Sequence, residues 1–202
     1  PISGPFQGRK RINKMKNIAL LASGAGSNVQ NIAHYFANKP EVRISLVITN
    51  NPNAGVIEKC KNLNIPLIYL SKAGFLNENT LLNTLNGFSI DLIVLAGFLL
   101  KIPDTLVQAF PNKIVNIHPA LLPKFGGKGM YGMHVHRAVK EAGETASGIT
   151  IHYVNEHYDQ GGVIFQAKTA LNKQDTPEDI AKKVQALEAL HFPATIEKLL
   201  DA

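Results

Sequence analysis

The sequence of 202 residues predicts a single-domain α/β fold: an open, mostly parallel twisted sheet flanked by helices, with an antiparallel carboxyl-terminal extension. Short continuous apolar runs, such as 17–22 and 91–96, are typical of strands buried on both faces of a parallel sheet. Stretches with apolar residues at helical spacing separate these runs, which gives the order β-α-β-α-β-α. Near the carboxyl end, the runs 148–155 and 163–169 alternate between apolar and polar residues, as antiparallel strands do.

The length and composition favour one folded unit preceded by a basic tail. With 45% hydrophobic residues the chain can bury a substantial core, and a second full domain is not expected. The net charge is +6, but several of the positive charges precede Met15. This opening lacks the apolar centre of a signal peptide and any helix or strand period. We expect residues 1–14 to be a disordered tail, native or left over from expression, or less favourably a nucleic-acid-binding arm, and residues 15–202 to form the catalytic domain.

Cysteine usage and hydropathy indicate the cellular setting. Cys60 is the only cysteine, so no internal disulfide can form. No stretch approaches the roughly 20 apolar residues that a membrane-spanning helix needs. We therefore expect a cytoplasmic protein with no membrane association.

The first strand, 17–22, leads directly into the glycine loop S-G-A-G-S-N at 23–28, which opens a helix capped by Ser27 or Asn28. Its glycines permit a tight turn, and the amino end of a helix attracts negative charge, so the loop can bind phosphate. It is shorter than dinucleotide or nucleoside triphosphate loops, which favours a phosphomonoester. A simple tight turn is the alternative.

The later elements continue the alternating pattern. The segment G-F-L-L-K-I-P follows the strand 91–96 and, in a parallel sheet, lies at the same edge as the glycine loop, where open α/β sheets bind ligands. The other predicted elements are strands at 43–49, 66–70 and 113–118, helices at 54–63, 76–85, 103–110 and 134–142, and a last helix that begins near 175–179.

Asn116 and His118 end the strand 113–118 just before Pro119. Residues two apart in a strand point to the same face, so the two polar side chains lie side by side. An amide donor beside an imidazole could bind and protonate an oxygen that gains negative charge. The alternative is a strand-end histidine that merely bonds to a neighbour, but the phosphate loop at the same sheet edge favours a site.

The glycine-rich segment 125–133 is predicted to be a mobile loop, either a lid or a plain surface loop. It precedes the histidines 134 and 136, which with His118 and Asp159 could form a zinc site. We disfavour zinc because histidines two apart do not share a helical face and no thiolate is available. His152 is interpreted as a packed strand histidine. His34, His157 and His191 are interpreted as surface or boundary residues.

Four motifs occur in a diagnostic order: S-G-A-G-S-N at 23–28, V-L-A-G-F at 94–98, N-I-H-P-A-L-L-P at 116–123 and H-Y-V-N-E-H-Y-D-Q-G at 152–161. On these motifs the chain after Met15 resembles the phosphoribosylglycinamide formyltransferases. The resemblance implies a Rossmann-like formyltransferase fold. It also implies transfer of a formyl group from 10-formyltetrahydrofolate to the primary amine of glycinamide ribonucleotide in purine biosynthesis.

The resemblance also implies roles for individual residues. Asn116, His118 and Asp159 would be catalytic. The substrate phosphate would bind at Gly26, Ser27 and Asn28, and Pro119, Gln185 and Glu188 would touch the nucleotide. The folate would lie against Leu99, Leu100, Lys101 and Ile102, and would also contact Asn116.

The chain departs from the family pattern on the folate side. Leu99-Leu100-Lys101-Ile102 replaces the frequent Met-Arg-Ile-Leu, and an arginine expected in 75–80 is absent. The turn at Asp159 continues as Gln-Gly-Gly rather than Gly-Pro, and the loop 125–133 is longer than in some members. These departures concern loop conformation and folate contacts rather than the catalytic chemistry.

From the residues, we expect the Asn116 amide and a protonated His118 to donate hydrogen bonds to the oxyanion of a tetrahedral intermediate. Asp159 would raise the pKa of the imidazole. The expected partners are glycinamide ribonucleotide and a reduced folate, with no metal and no nucleic acid, in a monomer or weak homodimer. Rival functions are a formyltetrahydrofolate hydrolase, a methionyl-tRNA or sugar-amine formyltransferase and, in another class, a non-catalytic nucleotide-binding module.

Overall fold

The computed structural model describes residues 14–201, which fold around one seven-stranded sheet of order β3-β2-β1-β4-β5-β6-β7. Neighbouring strands from β3 to β5 are parallel, whereas β6 pairs antiparallel with both β5 and β7. The predicted fold class, including the antiparallel extension, is confirmed. The strands are β1 Lys16–Leu21, β2 Val42–Thr49, β3 Leu67–Tyr69, β4 Leu92–Leu95, β5 Ile114–His118, β6 Ala146–Tyr153 and β7 Val163–Ala170.

Helices cover both faces of this sheet, which is why its middle strand, β4, is apolar along its whole length. All four residues of β4 are buried, as a strand sandwiched between two helical layers requires. The helices are α1 Ser27–Phe36, α2 Val56–Asn62, α3 Lys72–Leu76, α4 Glu78–Gly87, α5 Asp104–Ala109, α6 Met133–Glu141 and α7 Pro177–Asp201.

Two separate apolar clusters follow from this sandwich. The α1/α7 face packs α1, α2, α6 and α7 against the sheet, through residues such as Val29 and Val184. The α4/α5 face packs α3, α4 and α5 against the other side, through residues such as Phe75 and Leu106. Each cluster buries apolar side chains from alternate positions of the same strands, because successive strand residues point to opposite faces.

Two predicted helix boundaries are corrected. The predicted helix 76–85 is observed as α4, 78–87, whose start is capped by Asn77, which accepts the Thr80 N–H at 3.0 Å. A separate short helix, α3, precedes it and is capped by Ser71, which accepts the Gly74 N–H at 3.1 Å. The first helix is capped by Gly26 rather than by Ser27 or Asn28.

Ser23 links the loops that follow β1, β2 and β4 at the carboxyl edge of the sheet. Its hydroxyl donates to Asn50 Oδ1 at 2.6 Å and accepts the Leu99 N–H at 3.0 Å, and its N–H bonds to the Gly97 carbonyl at 3.0 Å. One short buried hydroxyl therefore sets the distance between the glycine loop and the segment after β4.

The tail expected at 1–14 lies almost wholly outside the described residues. Within residues 14–201, no helix is long and apolar enough to cross a membrane.

The pairing of β6 with β7 depends on Gly148, because any side chain at this position would displace the backbone of β7. A Cβ on Gly148 would lie 2.0 Å from the Ala167 carbonyl oxygen of the neighbouring strand. Gly87, at the end of α4, has open space around the same position.

We expect Gly148→Ala to lower the free energy of unfolding by about 1 to 3 kcal/mol, because the backbone of β7 must move to accept the methyl group. Gly87→Ala is the matched control and should be neutral or stabilising by up to about 1 kcal/mol. Chemical denaturation of both variants measures the difference. Equal stability of Gly148→Ala and the parent chain would contradict the packing described.

Candidate active site

A cavity of about 520 Å³ opens at the carboxyl edge of the parallel strands, where the loops after β1, β4 and β5 meet. The turn between β6 and β7 and the amino-terminal half of α7 close its sides. Every site residue predicted from the sequence lines this one cavity: Gly26, Ser27, Asn28, Leu99, Leu100, Lys101, Ile102, Asn116, His118, Pro119, Asp159, Gln185 and Glu188.

The glycine loop places the amino end of α1 in the cavity. Gly26 has φ 74°, and a Cβ there would lie 2.6 Å from Val56 Cγ2, so both conformation and space require glycine. No side chain caps this helix end. Its first N–H groups and the positive end of the helix dipole are therefore available to an anion.

Asn28 and Glu188 join the first turn of α1 to α7. The Asn28 amide donates to Glu188 Oε2 at 2.9 Å. Burial raises the pKa of the Glu188 carboxyl, and the hydrogen bond from Asn28 opposes this by favouring the ionised form. The pair places a carboxyl group within the cavity, beside the glycine loop.

Asn116 is oriented by His152 on the neighbouring strand. The two residues are directly paired in the register of β5 and β6, and Asn116 Nδ2 lies 3.1 Å from His152 Nε2. His152 Nδ1 lies 2.9 Å from the Tyr153 carbonyl oxygen, which can only accept, so we assign the ring proton to Nδ1. His152 Nε2 then accepts one N–H of the Asn116 amide, and the second N–H remains available to a ligand.

His118 is 3% exposed and lies between two acceptors. Its Nε2 donates to the Phe125 carbonyl oxygen at 2.7 Å, which assigns the proton of the neutral ring to Nε2. Its Nδ1 lies 3.5 Å from Asp159 Oδ2. The unprotonated nitrogen of the neutral ring therefore faces a carboxylate.

Asp159 holds the turn between β6 and β7 over the strand ends, with φ 56°. Its Oδ2 accepts the Gly127 N–H at 2.8 Å, and its Oδ1 lies 3.6 Å from His152 Nε2. Burial alone would raise the pKa of this carboxyl, but the attraction of the neighbouring histidines in their protonated forms and the Gly127 N–H outweigh burial and lower it. Asp159 is thus ionised at neutral pH.

The structure adds burial to the expected pairing of His118 with Asp159, and the protonation of His118 during formyl transfer stays a prediction. Burial lowers the pKa of His118 below its ordinary value of 6.5, and the Asp159 carboxylate and the Phe125 carbonyl only partly oppose this. The sequence suggested the carboxylate partner but gave no measure of desolvation. The ring is therefore neutral at pH 7 until charge develops beside it.

The wall 99–102 is apolar at its base and polar at its rim. Ile102 is buried against the α4/α5 face, whereas Leu99 is 52% exposed to the cavity mouth. Lys101 pairs with Asp104 at 3.0 Å, and both side chains are largely exposed. The wall offers a hydrophobic surface with one cation at its edge.

Comparison with known proteins identifies the family. A family model described as "Formyl transferase" matches residues 16–196. The chain is 37% identical over 193 residues to phosphoribosylglycinamide formyltransferase of Bacillus subtilis, covering 92% of this chain and 95% of that protein. The chain belongs to the phosphoribosylglycinamide formyltransferase family. The recognition made from the four motifs is confirmed.

Other members of the family agree in sequence and in fold. The chloroplastic phosphoribosylglycinamide formyltransferase of Arabidopsis thaliana is 43% identical over 178 residues, which cover 85% of this chain but only 61% of that protein. The chain thus spans about three-fifths of this plant relative. Glycinamide ribonucleotide transformylase 1 of Geobacillus kaustophilus superimposes with a TM-score of 0.84 at 34% identity, covering 92% of this chain and 99% of that one.

Three histidines that line the cavity were not among the site residues predicted from the sequence. His152 was interpreted as a packed histidine and His157 as a surface residue, yet both line the cavity. His136 is 4% exposed, also lines the cavity, and its Nδ1 has no hydrogen-bond partner among residues 14–201. The antiparallel pairing that sets His152 opposite Asn116 was the signal that could have found it. In the same range, no group of three or more His, Cys, Asp or Glu side chains is placed to bind a metal ion.

We expect Asp159→Asn to lower the pKa of His118 further, because the carboxylate charge is a contribution that raises it. The asparagine oxygen can still accept the Gly127 N–H, so the loop should keep its place. NMR titration of the His118 ring in both proteins measures the shift. A higher pKa in the variant would contradict the assigned electrostatics.

The same burial makes stability depend on pH. The pKa of His118 in the folded state lies below its unfolded value of 6.5, because burial disfavours the charged ring. The contribution of neutral His118 to the free energy of unfolding is therefore complete above pH 6.5 and is lost as pH falls through the folded-state pKa. We therefore expect the free energy of unfolding to fall between pH 7.5 and pH 5.5. Replacing His118 with Asn should make that fall smaller in denaturation measurements, and an unchanged slope would contradict it.

Proposed function

We propose that this chain transfers the formyl group of 10-formyltetrahydrofolate to the primary amine of glycinamide ribonucleotide, giving formylglycinamide ribonucleotide and tetrahydrofolate. The observation that supports this most strongly is the convergence, in one cavity, of an uncapped helix amino end, an apolar wall and the Asn116, His118 and Asp159 group. The helix end suits the phosphate of the ribonucleotide, and the apolar wall suits the flat ring system of the folate. The polar group suits the formyl group during its transfer.

The nucleotide occupies the side of the cavity next to α1 and α7. Its phosphate binds the N–H groups at Gly26, Ser27 and Asn28, where the helix end is uncapped. Glu188, held by Asn28 at 2.9 Å, offers an acceptor for ribose hydroxyls, and Gln185 lies about one helical turn before it on the cavity wall of α7. Pro119 borders the path from the phosphate to the reacting amine.

The folate lies against Leu99, Leu100, Lys101 and Ile102. This wall belongs to the α4/α5 side of the sheet, opposite the nucleotide, so the two substrates approach each other across the strand ends. Asn116 lies between them and contacts the formyl group. The reacting groups thus meet at the end of β5.

Asn116 and the buried pair His118 and Asp159 divide the chemistry. The free Nδ2–H of Asn116 donates to the oxygen that becomes negative when the amine attacks the formyl carbon. His118 Nδ1, unprotonated and beside Asp159 Oδ2 at 3.5 Å, accepts the proton that the amine loses.

Collapse of the tetrahedral intermediate returns this proton to N10 of the departing folate, directly or through one water. One C–N bond forms and one breaks, and the proton moves from the amine to N10, so the step balances without a metal or an oxidant. Asp159 stabilises the imidazolium during the interval in which it exists. The neutral resting state of His118 suits this role, because a base must begin unprotonated.

The deciding experiment incubates the purified chain with 10-formyltetrahydrofolate, with and without glycinamide ribonucleotide. We expect tetrahydrofolate and formylated ribonucleotide to appear together and in equal amounts. Folate consumption without the ribonucleotide would indicate a hydrolase. Absence of any consumption would indicate a non-catalytic binding module.

Asn116→Leu should lower kcat by about 100- to 1,000-fold, because an oxyanion donor is removed while the side chain keeps a similar size. Asn83→Leu, the same change on an exposed position of α4, is the control and should leave kcat unchanged. Steady-state kinetics of folded protein, verified by circular dichroism, measures the effect. A loss of less than about ten-fold would contradict the donor role.

A further inference from the structure

Both proposed substrates have anionic ends, but the cavity contains few cations. Among the described residues that line it, the lysines Lys101 and Lys128 are the permanent positive charges, and no arginine lines it. Lys101 and Lys128 are on different loops. Each could therefore bind the anionic end of a different substrate.

The two lysines belong to opposite sides of the sheet. Lys101 lies between Leu100 and Ile102, which pack on the α4/α5 face, and it already pairs with Asp104 at 3.0 Å. Lys128 lies two residues before Met130, which packs on the α1/α7 face. Lys128 is thus on the side of α1, whose amino end is the proposed phosphate site.

Lys128 is also the unpaired one. The lysines that form ion pairs among residues 14–201 are Lys39, Lys101, Lys124 and Lys183, and Lys128 is not one of them. Its ammonium group is exposed and free to accept an anionic ligand without first breaking an internal contact.

The backbone around Lys128 presents the side chain at the tip of a tight turn. The Met130 N–H donates to the Gly127 carbonyl oxygen at 3.1 Å, so Lys128 and Gly129 occupy the two central positions of this turn. Gly127 and Gly129 have φ 99° and 89°, which residues with a Cβ rarely adopt. The turn is fixed from below, because Asp159 accepts the Gly127 N–H at 2.8 Å.

We propose that Lys128 is a ligand of the substrate phosphate. Its side chain would bind the phosphate from the loop 125–132, while the amino end of α1 binds it from the other side. This rests on the proposed function. The helix end supplies N–H donors and a partial charge, whereas a phosphomonoester carries nearly two negative charges at neutral pH. The α7 residues that line the cavity, Gln185 and Glu188, carry no positive charge, so Lys128 provides the compensating full charge.

The proposed phosphate ligand, Lys128, is also the neighbour in sequence of a residue that bonds to Asp159. Lys128 follows Gly127, whose N–H binds that carboxylate. Phosphate binding at Lys128 would fix the loop in the position in which Asp159 and the Phe125 carbonyl hold His118.

The test compares glycinamide ribonucleotide with glycinamide ribonucleoside, which lacks the phosphate. For Lys128→Gln we expect about a ten-fold lower kcat/KM for the ribonucleotide and an unchanged kcat/KM for the ribonucleoside, since the removed charge meets only the phosphate. Inorganic phosphate should also inhibit ribonucleotide turnover less strongly in the variant, by a similar factor.

Two controls separate this role from a general loss of charge or of loop structure. Lys124→Gln makes the same change four residues earlier, outside the cavity, and should leave the ratio of the two kcat/KM values at the parent level. Lys128→Arg keeps the positive charge and should retain most of the ratio.

Equal losses on both substrates for Lys128→Gln would overturn the proposal, because they would indicate a role in loop structure rather than in phosphate binding. No loss on either substrate, with unchanged inhibition by phosphate, would overturn it as well. If the parent chain does not formylate the ribonucleotide at all, the proposed function itself fails, which is a result distinguishable from the other two.

Discussion

The antiparallel pairing of β6 with β5 is the constraint on which the site depends. A purely parallel sheet would end at its carboxyl edge with polar side chains facing open solvent. Because β6 returns along β5, His152 pairs with Asn116 and fixes one amide proton, and the following turn places Asp159 over His118. The site therefore lies where the parallel part of the sheet meets its antiparallel part.

Two opposing effects set the protonation state of the buried His118. Desolvation favours the neutral imidazole of His118, and the Asp159 carboxylate favours the charged form. Desolvation is the larger effect, so the pKa of His118 lies below its ordinary value and the ring is neutral at pH 7.

The loop 125–132 connects His118 and Asp159 to the part of the cavity next to α1. Its Phe125 carbonyl sets the His118 tautomer, its Gly127 N–H binds Asp159, and Lys128 faces the cavity between two left-handed glycines. The left-handed glycines allow the tight turn at 127–130, so three contacts of different kinds arise within four residues of the chain, 125–128. Such a loop is more than a plain surface connection, because His118 and Asp159 both form hydrogen bonds with its backbone.

The sequence by itself determined the sheet, the order of its elements and most of the site. Continuous apolar runs can only be buried between two helical layers, and the carboxyl ends of parallel strands necessarily share one edge, so the glycine loop, the wall 99–102 and Asn116 had to meet there. The tertiary structure alone decided the role of His152 and the protonation of His118. The first depends on strand register and the second on the degree of burial, and both arise from contacts between residues distant in the chain, which no local pattern encodes.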